Sequence, residues 1–374
     1  MYCLLDSVKI RLVLYRAGVH LRIYSPEDNF LYPRWWFGQI DSRPVSAFRI
    51  FFAAWLLKDA IYDLFIAEDF YSDTGFVPLS ALRDGLLRTN RFSLMDAMPQ
   101  VWMAQIFFLM WIAVLIALMI GYRTRLMSIL NFLIVLSIHE RNIYVLNGAD
   151  TVIRVLSFWM MFVPMAESYS LDSILRKPVS DEPRTIFAFP VRMMQIQIAL
   201  VYVFTFILKL PGDIWRDGEA LHYALQLQSL TLPFGDWFLD LAPLPLLQLM
   251  NYWSLFFEGG FIFFVFLPFF QPHLRLFGLF MGFMMHLGIA VLMSIGNFSF
   301  VMMISYFIFI PPEWVERLFN LKFIQRLVLM IREVIPVRDV LPPEAIQSRD
   351  DRLGLQRWLA RGSKAALSAL VGSM

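Results

Sequence analysis

The sequence predicts an all-α integral membrane protein, a bundle of about eight transmembrane helices with an interfacial C-terminal helix. Two observations carry that fold class. Of 374 residues, 59% are hydrophobic and 17% charged, with 37 Phe, 21 Met and a mean hydropathy of +0.60, beyond the apolar share of about half that soluble domains show. The apolar residues also gather into runs near the length of about 20 residues that a hydrocarbon core demands of a helix.

The elements follow in order. Residues 1–40 scatter basic residues through apolar positions and offer no small-residue cleavage site, so they read as a basic segment on the inner membrane surface and not as a signal peptide. Residues 41–315 form the transmembrane domain, with spans expected near 46–66, 99–121, 125–145, 150–166, 191–211, 243–270, 273–294 and 297–312. The fourth and eighth runs are short, and "HERN" interrupts the third. Residues 316–374 read as a cytoplasmic amphipathic helix and tail. In "EWVERLFNLKFIQRLVLMIREV" apolar residues recur three and four apart with Arg and Lys between them, which suits a helix lying in the interface.

Alternate loops divide the basic residues unevenly. One side collects 23 Lys and Arg and the other only five, Arg83, Arg88, Arg91, Arg141 and Arg216. Cytoplasmic loops carry the excess of positive charge, so both termini are expected to be cytoplasmic, in a plasma (inner) membrane. Unusual polarity then falls on the outer loops, "AEDFYSDTGFVPLSALRDGLLRTNRFS", "HERNIYVLNGAD" and "PGDIWRDGEALHYAL".

Several function classes lack support. Cys3, the single cysteine, excludes an intrachain disulfide and a cysteine-based zinc or iron–sulfur site. The "HE" of "HERN" lacks the second histidine a zinc helix needs, so no metal is expected. There is no P-loop, GxGxxG, GxSxG or HExxH, and no nucleic-acid partner is indicated.

Polar residues inside the runs are the candidates for function, since charge in hydrocarbon is costly and tends to be functional. Tyr202, Thr205 and Lys209 share one face of the fifth run, with Gln195 and Gln197 upstream. Lys209 has two readings: a snorkelling anchor at the outer boundary, or a desolvated amine able to act as a base. Asn147 and Gly148 precede Asp150, which suits a helix N-terminus, and Asp150 and Arg154, four apart, are spaced to pair as scaffold. Lys58, Asp59, Glu258 and His286 add polar groups from three further runs, which suggests a shared polar cavity.

"SRPVSAFRIFFAAWLLKDAIYDLF", "GYRTRLMSIL", "SIHERNIYVLNGADTVIRVLSFWMMFVPMAESYSLDSIL", "IQIALVYVFTFILKLPGDIWRDGEALHYAL" and "HLGIAVLMSIGNFSFVMMISYFIFIPPEW" lie in order between residues 40 and 320. Together they resemble the HTTM (horizontally transferred transmembrane) domain, the membrane domain shared with vitamin K-dependent gamma-carboxylase. In that enzyme a lysine within a "QI…VY…KL…W…G" pattern is taken to deprotonate a reduced quinone. Gln197, Tyr202, Lys209, Leu210, Trp215 and Gly218 match the pattern, with Trp215 one residue late.

The resemblance implies Lys209 as base, Glu167 and His286 as supports, and Tyr202, Trp215 and Gln197 around a reduced, vitamin K-like quinone. Glu167 stands where the carboxylase has a histidine, and a carboxylate cannot replace an imidazole in every role. The carboxylase's large luminal region finds no counterpart in the about 60 residues after the last run, so propeptide-dependent glutamyl carboxylation is not expected. Two functions stand side by side. One is quinol-dependent, carboxylase- or lyase-like chemistry at an outward-facing cavity. The other is a non-catalytic protein binding a quinone, lipid or peptide partner, or assisting maturation or transport of an exported small substrate. Membrane lipids are expected partners of both.

Overall fold

Helix follows helix wherever the apolar runs occur, and turns fall where Gly, Pro and Asn interrupt them. The computed structural model describes residues 24–25, 28–84, 93–176 and 184–320. Most of the basic N-terminal segment, the loop arginines Arg88 and Arg91, and the tail after residue 320 lie outside the described residues. Eight principal helices coincide with the eight predicted runs: α1 (Arg43–Phe65), α2 (Val101–Ile120), α3 (Thr124–Arg141), α4 (Gly148–Met160), α5 (Phe189–Lys209), α6 (Leu244–Phe266), α7 (His273–Leu292) and α8 (Phe298–Ser305), the last continued by a 3-10 turn, Tyr306–Phe309. α2, α5, α6 and α7 are each long and apolar enough to cross a membrane, and α8 with Pro312–Phe319 adds a fifth candidate broken by a bend of 113°.

The predicted third run ends early and the fourth begins early for local reasons. Asn142 takes the hydrogen bond of the Tyr144 N–H at 3.1 Å and starts a separate turn, so α3 stops at Arg141. α4 opens with a capping box: Asn147 Oδ1 accepts from the Ala149 N–H at 2.8 Å while Asp150 Oδ2 accepts from the Asn147 N–H at 2.7 Å.

Chain ends alternate between two faces of the bundle. At one face, strand β1 (Gln39–Asp41) pairs antiparallel with strand β2 (Thr185–Phe187), bringing the starts of α1 and α5 together. Arg49, fully buried, donates to the carbonyls of Leu118 at 3.0 Å and Tyr169 at 2.5 Å, so it serves the C-terminus of α2. Gly121 sits against it at φ +79, where a Cβ would collide with Arg49 and Ser170. Asp172 receives the N–H groups of Arg123 and Thr124 at 2.9 and 3.1 Å, placing a carboxylate at the N-terminus of α3. The Pro312–Phe319 helix returns to this face, where Glu316 pairs with Arg43 and Phe319 stacks on Tyr169 at 4.1 Å. The opposite face carries Lys209, the Asn147 turn and the short helices Asp213–Arg216, Ala220–Leu225 and Pro233–Leu241.

Packing repeats the sequence periodicity. Val45, Phe48, Phe52, Leu56 and Ala60 line one side of α1 and meet Ala104, Phe108, Trp111, Leu115 and Leu118 of α2. Because lipid is as apolar as a leucine face, polar contacts and close fit supply much of the specificity between such helices. One chain of contacts joins three helices: Trp111 Nε1 donates to Asn131 Oδ1 at 3.0 Å, and Asn131 Nδ2 donates to Ser157 Oγ at 3.2 Å.

Candidate functional site

Lys209 closes the last turn of α5, and its side chain turns towards α6. Nζ donates to Glu258 Oε1 at 2.6 Å and lies 4.2 Å from the centre of the Trp215 ring. The carboxylate is 6% exposed and the ammonium 22%, so the pair sits at the edge of the bundle with its acid inside. Gly259 and Gly260 follow Glu258, and the Phe206 ring fills the space beside Gly259. The free end of the lysine therefore has a fixed counter-ion, and no snorkelling is needed to accommodate its charge.

About two helical turns towards the bundle centre, Tyr202 reaches α7 and the turn after α8. Its hydroxyl is 2.8 Å from His286 Nε2 and 2.5 Å from the Tyr306 hydroxyl, and all three residues are buried. Two further buried atoms, Glu258 Oε2 and His286 Nδ1, have no close hydrogen-bond partner among the described residues, with the Thr205 hydroxyl the group next to the carboxylate. An orphaned buried acceptor or donor costs about 1–3 kcal/mol, which is tolerable where a ligand completes it.

Other residues expected at this site are elsewhere. α5 has 21 residues, about 31 Å at the rise of an α-helix, and Glu167 belongs to its other end. The Glu167 carbonyl accepts from Arg184 Nη1 at 2.9 Å, and the neighbouring Ser168 hydroxyl meets Ser42 at 2.6 Å. Glu167 is thus kept with the start of α1 and does not join Lys209. Gln197 is half-buried and stands about 18 Å from Lys209 along the helix axis.

The Asp150–Arg154 pairing expected from spacing gives way to a different one. Arg154 Nη1 reaches back to Glu140 Oε1 at 3.1 Å and Nε lies 3.4 Å from His139 Nδ1, while Asp150 Oδ1 faces His139 Nε2 at 3.5 Å. Asp150 is held by its own cap on Asn147, so its carboxylate points away from the next turn of α4.

A cavity of about 570 Å³ opens at the Lys209 face, but between α1, α3 and α4. Lys58, Asp59, Asp63, His139, Asn147, Asp150 and Asn297 line it together with Tyr62, Phe70 and Tyr71. Among the described residues no group of three or more His, Cys, Asp or Glu is placed to hold a metal ion. The turn before α8 separates the two polar regions. Asn297 accepts from Lys58 Nζ at 2.9 Å and donates to Asp59 Oδ2 at 2.8 Å, whereas the next ring, Phe298, packs on His286 at 5.8 Å between centroids. Gly296, at φ +65, makes the turn possible.

The HTTM domain description matches residues 37–314, which include all eight principal helices and both polar regions. The chain belongs to the HTTM domain family. This HTTM protein is also similar to "Uncharacterized protein YitO" of Bacillus subtilis (strain 168), with 24% identity over 224 residues, covering 58% of this chain and 69% of that one. No solved structure matches it. As an HTTM protein with four to five helices fit to cross a membrane, it is a membrane protein.

Sequence reasoning missed Tyr306, Tyr71 and Asp63 as members of these regions. Asp63 had a usable signal, since it stands four residues after Asp59 and puts two like charges on one helical face. Tyr306 had none, because its partner Tyr202 is 104 residues away.

Proposed function

We propose that this HTTM protein carries out acid–base chemistry on a lipid-soluble quinol at the end of α5, with Lys209 as the base. The partly buried Lys209–Glu258 pair is the observation that supports it. Transfer of one proton from Nζ to Oε1 along their 2.6 Å contact would leave a neutral amine and a neutral acid. The neutral amine can accept a proton from a phenolic hydroxyl, and the resulting ammonium is stabilised by the face of Trp215.

A reduced quinone, when bound, supplies the phenolic O–H groups and the electrons. The residues present fit such a group: Glu258 Oε2 and His286 Nδ1 are unpartnered polar atoms, and Trp215 offers an aromatic face. Tyr202 and Tyr306 hold the imidazole in place from its Nε2 side. The reading extends to eight crossings of a plasma membrane with both termini cytoplasmic, in keeping with the alternation of helix ends and the division of Lys and Arg.

A second reading, a non-catalytic protein that binds a small or peptide ligand for export or maturation, is favoured by the separate cavity at α1, α3 and α4. Mass spectrometry of lipids co-purifying in mild detergent distinguishes the two. A quinone retained by wild type, lost in Lys209→Ala and retained without turnover in Lys209→Arg supports the quinol reading. Absence of quinone from wild type, with a folded and functional Lys209→Ala, overturns it.

A further inference from the structure

We propose that the cavity between α1, α3 and α4 is a binding site for a small organic amine, best matched by a diamine. Its polar wall is anionic beyond what its own cations neutralise. Lys58 is engaged: Nζ contacts Asp59 Oδ1 at 2.8 Å and Asn297 Oδ1 at 2.9 Å and rests over the Trp55 ring at 4.2 Å. Arg154 is engaged by Glu140, and Arg141 donates to the carbonyls of Val77 and Ser72. That leaves Asp63, which has no hydrogen bond or ion pair among the described residues, and Asp150, which beyond its backbone cap faces the ring of His139 and the charges of Asp59 and Arg154 without a close ion pair. The charges Asp63 faces are those of Asp59, Asp150 and Lys58.

Tyr71 is the independent sign of a ligand. It is 4% exposed and lines the cavity, and its hydroxyl makes no hydrogen bond among the described residues. The charges it faces are those of Asp63, Asp150, Asp59 and Arg141, and a hydroxyl on the same wall as Asp63 and Asp150 is placed to bond an occupant. Tyr62 and Phe70 add aromatic surface of the kind that attracts ammonium groups.

The occupant follows from geometry. Among the described residues no three carboxylates or imidazoles are placed to hold one metal ion, which favours an occupant that carries its positive charges apart. The space, about 570 Å³, is at the scale of small-molecule pockets. Two ammonium groups joined by a short carbon chain would answer Asp63 and Asp150 separately and lay methylenes along Tyr62 and Phe70.

Binding of radiolabelled butane-1,4-diamine to the full chain in detergent tests this. Wild type should bind saturably, Asp63→Asn about tenfold or more weakly, and Tyr71→Phe several-fold more weakly, each variant eluting as a monodisperse protein. Tyr71→Phe keeps the test open if Asp63→Asn fails to fold. The proposal is overturned if wild type shows no saturable binding, if both variants bind like wild type, or if equimolar sodium chloride displaces the diamine.

Discussion

Lys209 and Glu258 meet at 2.6 Å across α5 and α6, and the acid of the pair is the more deeply buried partner. An ion pair so placed depends on both members being present.

Removal of one charge alone should therefore be worse than removal of both. Glu258→Gln strands an ammonium at the edge of the bundle and is expected to cost on the order of 3 kcal/mol. Glu258→Gln combined with Lys209→Met should recover most of that loss. Thermal unfolding of the single and double variants in one detergent checks the order, and an equal or lower midpoint for the double variant contradicts it.

Tyr202→Phe removes the hydroxyl shared by His286 and Tyr306. Both partners then lose a contact in a closed apolar setting, and a destabilisation of about 1–3 kcal/mol follows. Tyr306→Phe should cost less, because the Tyr202 hydroxyl still has His286. Chemical denaturation of the two variants side by side gives the comparison.

Gly121→Ala should destabilise the opposite face strongly. The glycine has φ +79, and a methyl would strike Arg49 and Ser170. Backbone strain of about 1 kcal/mol adds to displacement of a guanidinium that holds the end of α2. Arg49→Lys should not rescue the face, since one ammonium cannot serve two diverging carbonyls as a planar fork does. Expression level and thermal midpoint read both variants, and a wild-type midpoint for Gly121→Ala would show that the turn relaxes freely.

Orientation is open to a labelling test. In a Cys3→Ser background, Gln228→Cys lies on the exposed connection between α5 and α6, and Arg125→Cys on the exposed start of α3. A membrane-impermeant thiol reagent applied to intact cells should label the first and spare the second. Reversed labelling would invert the assignment of faces.

Helix positions were legible because hydropathy is local: each apolar run became a helix, and the misplaced ends trace to single residues such as Asn142. Lys209, Tyr202 and His286 were legible as costly polar groups in apolar runs. Glu258 was legible in the same way, but its pairing with Lys209 was not, and neither was Tyr306, because which side chains meet depends on helix rotation and depth set by packing. Glu167 illustrates the opposite error, since a motif position carried over from a family does not say at which end of a helix 21 residues long its side chain falls. The rearranged Arg154–Glu140 pair has a similar cause, as i to i+4 spacing permits an intrahelical pair but a neighbouring helix offered a better-placed acid.

Asn297 and Phe298 are consecutive, yet one is bonded to the wall of the anionic cavity and the other rests on the imidazole at the bundle centre. A single peptide bond therefore joins the wall of one polar region to the wall of the other. The eighth helix begins as a shared partition, with the side chains of two neighbouring residues turned to opposite sides of it and Gly296 allowing the turn that presents them.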